Sequence, residues 1–225
     1  MRSITLAAVS AVLLVSLVAC SAAAPGPTLA PGATQPPGSA PTQAPPVINP
    51  GDICAGHPIY SPNGPAPSFT QDVTLNARFP TQVDGQPVTG TQSSIWLQSM
   101  CYYGQSTADL APFAALFPAS TVPQISSGNA RVELDGDTIY IQAFRFPGAD
   151  PSVVFSHLAE FADALGGDPT DAANSTVDTV NLGGKNVYKV TDPDGEVIFG
   201  YVSGDTLWSL QGDESTATKV FAAIQ

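Results

Sequence analysis

From Pro151 to Leu165 apolar residues recur at Val154, Leu158, Phe161 and Leu165, one helical stripe, with Asp150 placed to cap its start and Gly166-Gly167 to end it. The same 3.6-residue period over Ser215 to Ile224 (Ala217, Val220, Phe221, Ile224) predicts a second helix behind Asp213 and Ser215 as caps. A third is expected over Leu110 to Phe117, capped by Asp109, because a proline such as Pro112 fits only in a first turn. One or two helical turns are expected around Asp72 to Phe79. Elsewhere the period is that of strands, broken by turn residues. Asp135-Gly136-Asp137 separates Ala130–Leu134 from Thr138–Phe146. Strands at Val177–Leu182, Asn186–Thr191, Glu196–Val202 and Thr206–Leu210 are divided by Gly183-Gly184, Asp192-Pro193-Asp194-Gly195 and Ser203-Gly204-Asp205, which spells a four-stranded meander. A strand near Val88 to Leu97 joins them. Hairpin-length loops exclude parallel crossovers. The expected fold is therefore α+β, a two-layer sandwich whose mainly antiparallel sheet carries helices packed on one face.

The first fifty residues follow neither period. Arg2 precedes an uncharged apolar run from Ile4 to Val18, too short for a membrane span and suited to a signal peptide. The run closes on Leu17-Val18-Ala19-Cys20, which resembles the lipobox of bacterial lipoproteins. That resemblance implies cleavage before Cys20, acylation of its sulfur with palmitate-like chains, and an extracytoplasmic protein held at the cell membrane or the outer surface of the envelope. The alternative is an ordinary secretory peptide whose cleavage site abuts a cysteine. Residues 21 to 50 hold nine prolines and no charge, a composition that cannot bury a core. In polyproline-II geometry they reach up to about 90 Å. The chain thus divides into a signal peptide (1–19), lipidated Cys20 with a proline-rich tether (20–51), and one globular domain (52–225).

Charge narrows the partners. All 19 acidic residues lie in the domain, against every basic residue except Arg2, so an overall formal charge of −12 understates its negative field. Nucleic acid and anionic headgroups both need clustered Lys and Arg, so neither suits it. Setting Cys20 aside leaves an even pair, Cys54 and Cys101, which in an exported chain reads as a disulfide. A metal site or a reactive thiol is the alternative, although close Cys or His spacing is missing except for His57 beside Cys54.

Several segments then point to kinship. Phe79-Pro80 with Val83-Asp84-Gly85-Gln86-Pro87-Val88, Phe146-Pro147-Gly148-Ala149-Asp150, Gly183-Gly184-Lys185-Asn186-Val187 and Tyr201-Val202-Ser203-Gly204-Asp205 resemble, in the same order, segments of a group of bacterial lipoproteins of unassigned activity. The resemblance covers about 75 to 225 and consists of turns and strand ends, so it implies a shared fold and export route and brings no catalytic residues. The likeness of 83–88 to 182–187 reflects either two related halves or two glycine turns.

Candidate chemistry is sparse. The chain has no G-x-S-x-G, H-E-x-x-H, G-x-x-x-x-G-K or G-x-G-x-x-G sequence. His57 and His157 are the only histidines, so a hydrolytic triad would have to use one of them, and His157, on the flank of the first helix stripe, would need a nucleophile and a carboxylate brought to it by the fold. The acidic turn Asp192–Glu196 departs from a calcium loop in glycine position and in its twelfth residue, Ser203, so no metal or other cofactor is expected. Trp96, Tyr102 and Tyr103 cluster around Cys101; Tyr102 and Tyr103 are the candidate ligand surface, since two neighbours in an extended chain cannot both face inward. The expected function is a non-catalytic binding module of the envelope, for a protein partner or a small ligand. A small hydrolase-type enzyme whose residues converge only in the fold is the alternative.

Overall fold

A computed structural model describes residues 53–57 and 67–225. Cys20, the signal segment and the tether lie outside the described residues. The elements run α1 (Val73–Asn76), β1 (Gln82–Val83), β2 (Gln86–Pro87), β3 (Thr89–Ile95), α2 (Trp96–Tyr102), α3 (Thr107–Ala114), β4 (Ser126–Leu134) and β5 (Asp137–Arg145). A 3₁₀ segment (Pro151–Ser156), α4 (Leu158–Ala164) and α5 (Pro169–Ala173) follow, then β6 (Thr176–Leu182), β7 (Lys185–Thr191), β8 (Val197–Ser203), β9 (Thr206–Gln211) and α6 (Glu214–Ala223).

Sequence-local chemistry sets most boundaries. Asp72, Asp150, Asp168 and Asp213 each stand extended before a helical segment and accept the backbone N–H groups that its first turn leaves unpaired. Two helical expectations and the end of one expected strand are corrected by the fold. The 151–165 segment is not one helix: it breaks at His157 (φ −136°, ψ 45°), because Val154 packs toward Phe144 and Phe146 while Phe155 reaches across to Tyr188, and weak helix formers there cannot resist the divided pull. Helix α3 begins three residues before its expected start. Ser106 and Asp109 form a reciprocal capping box, which moves Pro112 into the helix and costs it one rung two residues before the end. Trp96 opens a helix instead of continuing a strand; its N–H closes the last rung to Ile125 at 2.8 Å, after which the chain turns to place Cys101 inward.

Seven strands form one antiparallel sheet in the order β3-β4-β5-β9-β8-β7-β6, with β1-β2 as a separate hairpin. The α+β class, the antiparallel sheet and the 6–9 meander are as the sequence pattern implies. One connection governs the architecture. After β5, in the middle of the sheet, the chain does not turn back; it crosses the face as the 3₁₀ segment, α4 and α5, drops to the far edge at β6, and returns strand by strand to pair β9 with β5.

The sequence pattern predicts helices on one face only, but alternate residues of the central strands are apolar on both sides, and helices cover the sheet from both sides. Ile141, Ala143, Trp208 and Leu210 pack with Val220, Phe221 and Ile224 of the C-terminal helix on one face. Their strand neighbours Phe144 and Leu207 point the opposite way, into a second cluster with Trp96, Phe113, Phe117, Phe146 and Val154. Among the described residues no helix is long and apolar enough to cross a membrane.

A half-buried charge network ties the 67–78 segment to the sheet. Arg145 donates to Asp72 at 3.1 Å and to Asp205 at 3.0 Å, Arg78 also pairs with Asp205, and the Ser126 hydroxyl donates to Asp72 at 2.6 Å. Burial by itself would raise both carboxyls, but at Asp72 the Ser126 and Leu75 hydrogen bonds with Arg145, and at Asp205 the two guanidiniums, hold them below the usual carboxylate range. A depressed folded-state value stabilises the fold above the unfolded value near pH ~4, and that contribution is lost as pH falls through the folded values. Urea midpoints followed by tryptophan fluorescence should therefore fall steeply below about pH 4, and Asp205→Asn should flatten that limb. An unchanged acid limb in Asp205→Asn would remove this pair as its source.

Candidate functional site

The sequence-derived candidates are scattered. Cys54 and Cys101 are disulfide-bonded, with Cα atoms 5.5 Å apart across 47 positions. Tyr102 is buried at 9% exposure and Tyr103 is 42% exposed, their rings 5.2 Å apart edge to face, with Phe69 completing an aromatic trio beside the bridge. The expectation that only one of the tyrosines faces inward holds, on a helix end instead of a strand. His57 lies half-buried near Cys54, and loss of solvent pushes its pKa down. His157, at the helix break, faces Glu160 with Nδ1 3.4 Å from its carboxylate and remains well exposed. The acidic turn is internally committed on one side: Asp192 Oδ1 accepts the N–H groups of Asp194 at 2.9 Å and of Glu196 at 2.8 Å. Its Oδ2 is shielded from solvent and has no hydrogen-bond partner among the described residues.

The feature that sequence reasoning missed lies under the crossing segment. Between it and the sheet is an apolar cavity of about 140 Å³. Phe144, Leu207, Ile198 and Val190 of four adjacent strands form the floor. Phe155, Leu158, Phe161 and Leu165 form the roof. The polar interruptions of the floor are Gln142 and Ser209, in contact with each other at 3.5 Å.

Local structure explains why the space stays open. Leu158, Phe161 and Leu165 are the stripe of α4, which the sequence pattern assigns to core, but each remains only half-buried because α4 bridges the floor without collapsing on it. The roof is clamped at one end by Phe155. Its ring stacks on Tyr188 at 3.9 Å and brings its edge against Gly200 of β8, where an added Cβ would stand 2.4 Å from the ring's Cζ. A glycine is required there so that the crossing segment can touch the sheet at that point. At the other end, Gly166 and Gly167 close α4 with a Schellman pair of hydrogen bonds to Asp163 and Ala162, turning the chain into α5.

Charge collects at the solvent end. Asp168 and Asp171 of the α5 start, and Asp192 and Glu196 of the β7–β8 turn, border the cavity. Asp171 is pushed above the usual carboxylate range, first by lost solvation and then by the charges of Asp168, Asp194 and Asp192. Among the described residues no three His, Cys, Asp or Glu side chains are grouped so as to hold a metal ion. The arrangement is therefore an apolar recess with a negative mouth, suited to holding a molecule by its non-polar body. No family model matches the chain, and no curated protein and no solved structure is similar to it.

Proposed function

We propose that the chain is a lipid-anchored extracytoplasmic protein of the cell envelope whose domain binds a small, largely apolar ligand. The anchor rests on the Leu17–Cys20 ending and the apolar run before it. The observation that carries the binding reading is the cavity beneath α4. A side-chain core closes such spaces, because an unfilled cavity forfeits about 20 cal/mol per Å² of its surface, and here a rigid clamp at Phe155 and a capped turn at Gly166 keep it open. This favours a ligand recess over the Tyr102–Tyr103 surface, where the inner ring is already packed. The tether then gives the recess reach from the membrane.

Two measurements test the reading together. The wild type should enter the detergent phase on phase partitioning while Cys20→Ser stays aqueous or unprocessed; an aqueous wild type removes the anchor. Ligand-observed NMR titration of the full-length protein with n-hexanol should show saturable binding that Ala162→Phe, which fills the cavity from its roof, weakens at least about tenfold, while Tyr103→Ala leaves it unchanged. Equal binding by wild type and Ala162→Phe places the ligand elsewhere and rejects the cavity.

A further inference from the structure

We infer that the ligand of the cavity is a compact organic cation, an alkyl or aryl amine with a body of about six carbons, whose ammonium sits at the mouth beside Asp171 and Asp192. This rests on the ligand-binding reading above and specifies its chemistry.

Size sets the body. An apolar cavity of about 150 Å³ takes up benzene and otherwise stays dry, so the 140 Å³ beneath α4 accepts one ring or a short alkyl chain and no long acyl tail.

The mouth sets the head group. Four carboxylates border the recess, and none of them enters an ion pair among the described residues. Five of the six cations of the domain are engaged elsewhere, and the sixth, Arg131 on β4, does not line the recess. Arg78 and Arg145 serve Asp205 and Asp72, Lys189 serves Glu214, Lys219 serves Asp84 and Asp135, and Lys185 donates to the Ile224 carbonyl beneath the Tyr201 ring. At the mouth the carboxylate charge is left without a basic partner beside an apolar wall. Asp171 feels its neighbours' charges, and Asp192 Oδ2 is withdrawn from solvent without a donor. An arriving ammonium satisfies both: it relieves the mutual repulsion and supplies N–H donors to that oxygen. A bare metal ion suits the place poorly, since the carboxylates are not grouped for one ion and the apolar walls offer it no ligands. An anionic ligand is repelled by the same field, so a fatty acid or phosphate ester is the wrong class.

The test compares three molecules of one shape, n-hexylamine, n-hexanol and hexanoate, against the full-length protein in the same detergent, with Ala162→Phe as background. At neutral pH and low salt the amine, an ammonium like that of lysine, should bind roughly tenfold tighter than the alcohol, and hexanoate weaker than either. Asp171→Asn/Asp192→Asn should abolish the amine's advantage over the alcohol measured on the same variant; the asparagine at 192 keeps an oxygen for the two turn N–H groups. Added salt should narrow the gap in the wild type. Equal affinities for amine and alcohol in the wild type, or a preference that survives the double substitution, would overturn the cation assignment while the cavity reading stands on the alcohol. Failure of all three to exceed the Ala162→Phe background would reject the proposed function itself, and the ligand class with it.

Discussion

Replacing both Cys54 and Cys101 by alanine should cost the domain about 4 kcal/mol of unfolding free energy, the largest single loss expected outside the apolar core. The bridge spans 47 positions, and the entropy of closing a loop of that length in the unfolded chain gives this magnitude. Against a total of roughly 5–15 kcal/mol for a domain, the loss is a large fraction of the whole. Packing supports a cooperative effect. Cys101 is buried in α2 within the cluster of Trp96, Leu97 and Phe113, and Ile53, next to Cys54, joins the same cluster, so the bridge fastens an anchored segment to the core. Alanine at both positions avoids placing unpaired hydroxyls there. The check is urea unfolding of the double variant beside the oxidised wild type, monitored at Trp96 and Trp208. A loss below about 1 kcal/mol would mean that the 53–57 segment folds and unfolds independently of the sheet and that the bridge constrains only itself.

How much of this was legible beforehand follows from the range of the forces involved. The meander and the β4–β5 hairpin could be read because their turns are written locally: Gly183-Gly184 (φ 58° and 78°) and Asp135-Gly136 (φ 54° and 96°) all take positive φ, as two-residue hairpin turns demand, and Asp84-Gly85 does the same between β1 and β2. The likeness of 83–88 to 182–187 is accounted for by that shared turn geometry, since both segments close such hairpins. Caps at Asp150 and Asp213 were equally local. The break at His157 and the helical fate of Trp96 depend on distant partners, Tyr188 beneath Phe155 and Ile125 beneath Trp96, and no short window of sequence contains them; the early start of α3, by contrast, is set by the local Ser106–Asp109 box. The candidate site suffered most. Its roof read as an ordinary amphipathic stripe and its mouth as an imperfect calcium loop, and only the crossover from β5 to the far edge lays one upon the other. One local signal was present: Gly200 interrupts an otherwise apolar strand, and an isolated strand glycine marks a close approach, here of the Phe155 ring.

The second large effect is expected at Gly183, where Ala should destabilise the domain by about 3 kcal/mol while Ala at Gly184 costs about 1 kcal/mol. Both glycines sit in the β6–β7 turn with positive φ, 58° and 78°, so both substitutions carry the left-handed backbone penalty of roughly 1–2 kcal/mol. They differ in what surrounds them. A Cβ at Gly184 meets open space, whereas one at Gly183 would stand 2.8 Å from both the Ala222 nitrogen and the Thr218 carbonyl oxygen of α6. Those are backbone atoms and cannot rotate aside. To admit the methyl group, α6 must lift from the sheet, disturbing the contacts of Val220, Phe221 and Ile224 with Val187, Phe199 and Trp208. Overpacking of that kind typically costs about 1–3 kcal/mol more. Asparagine separates the two contributions. It tolerates positive φ, as aspartate does at Asp84 and Asp135 in the β1–β2 and β4–β5 turns, yet it brings the same Cβ. If contact with the helix dominates, Gly183→Asn should remain nearly as unstable as Gly183→Ala in urea unfolding. Recovery of Gly183→Asn to within about 0.5 kcal/mol of wild type would show instead that α6 yields freely and that turn geometry alone selects the glycine.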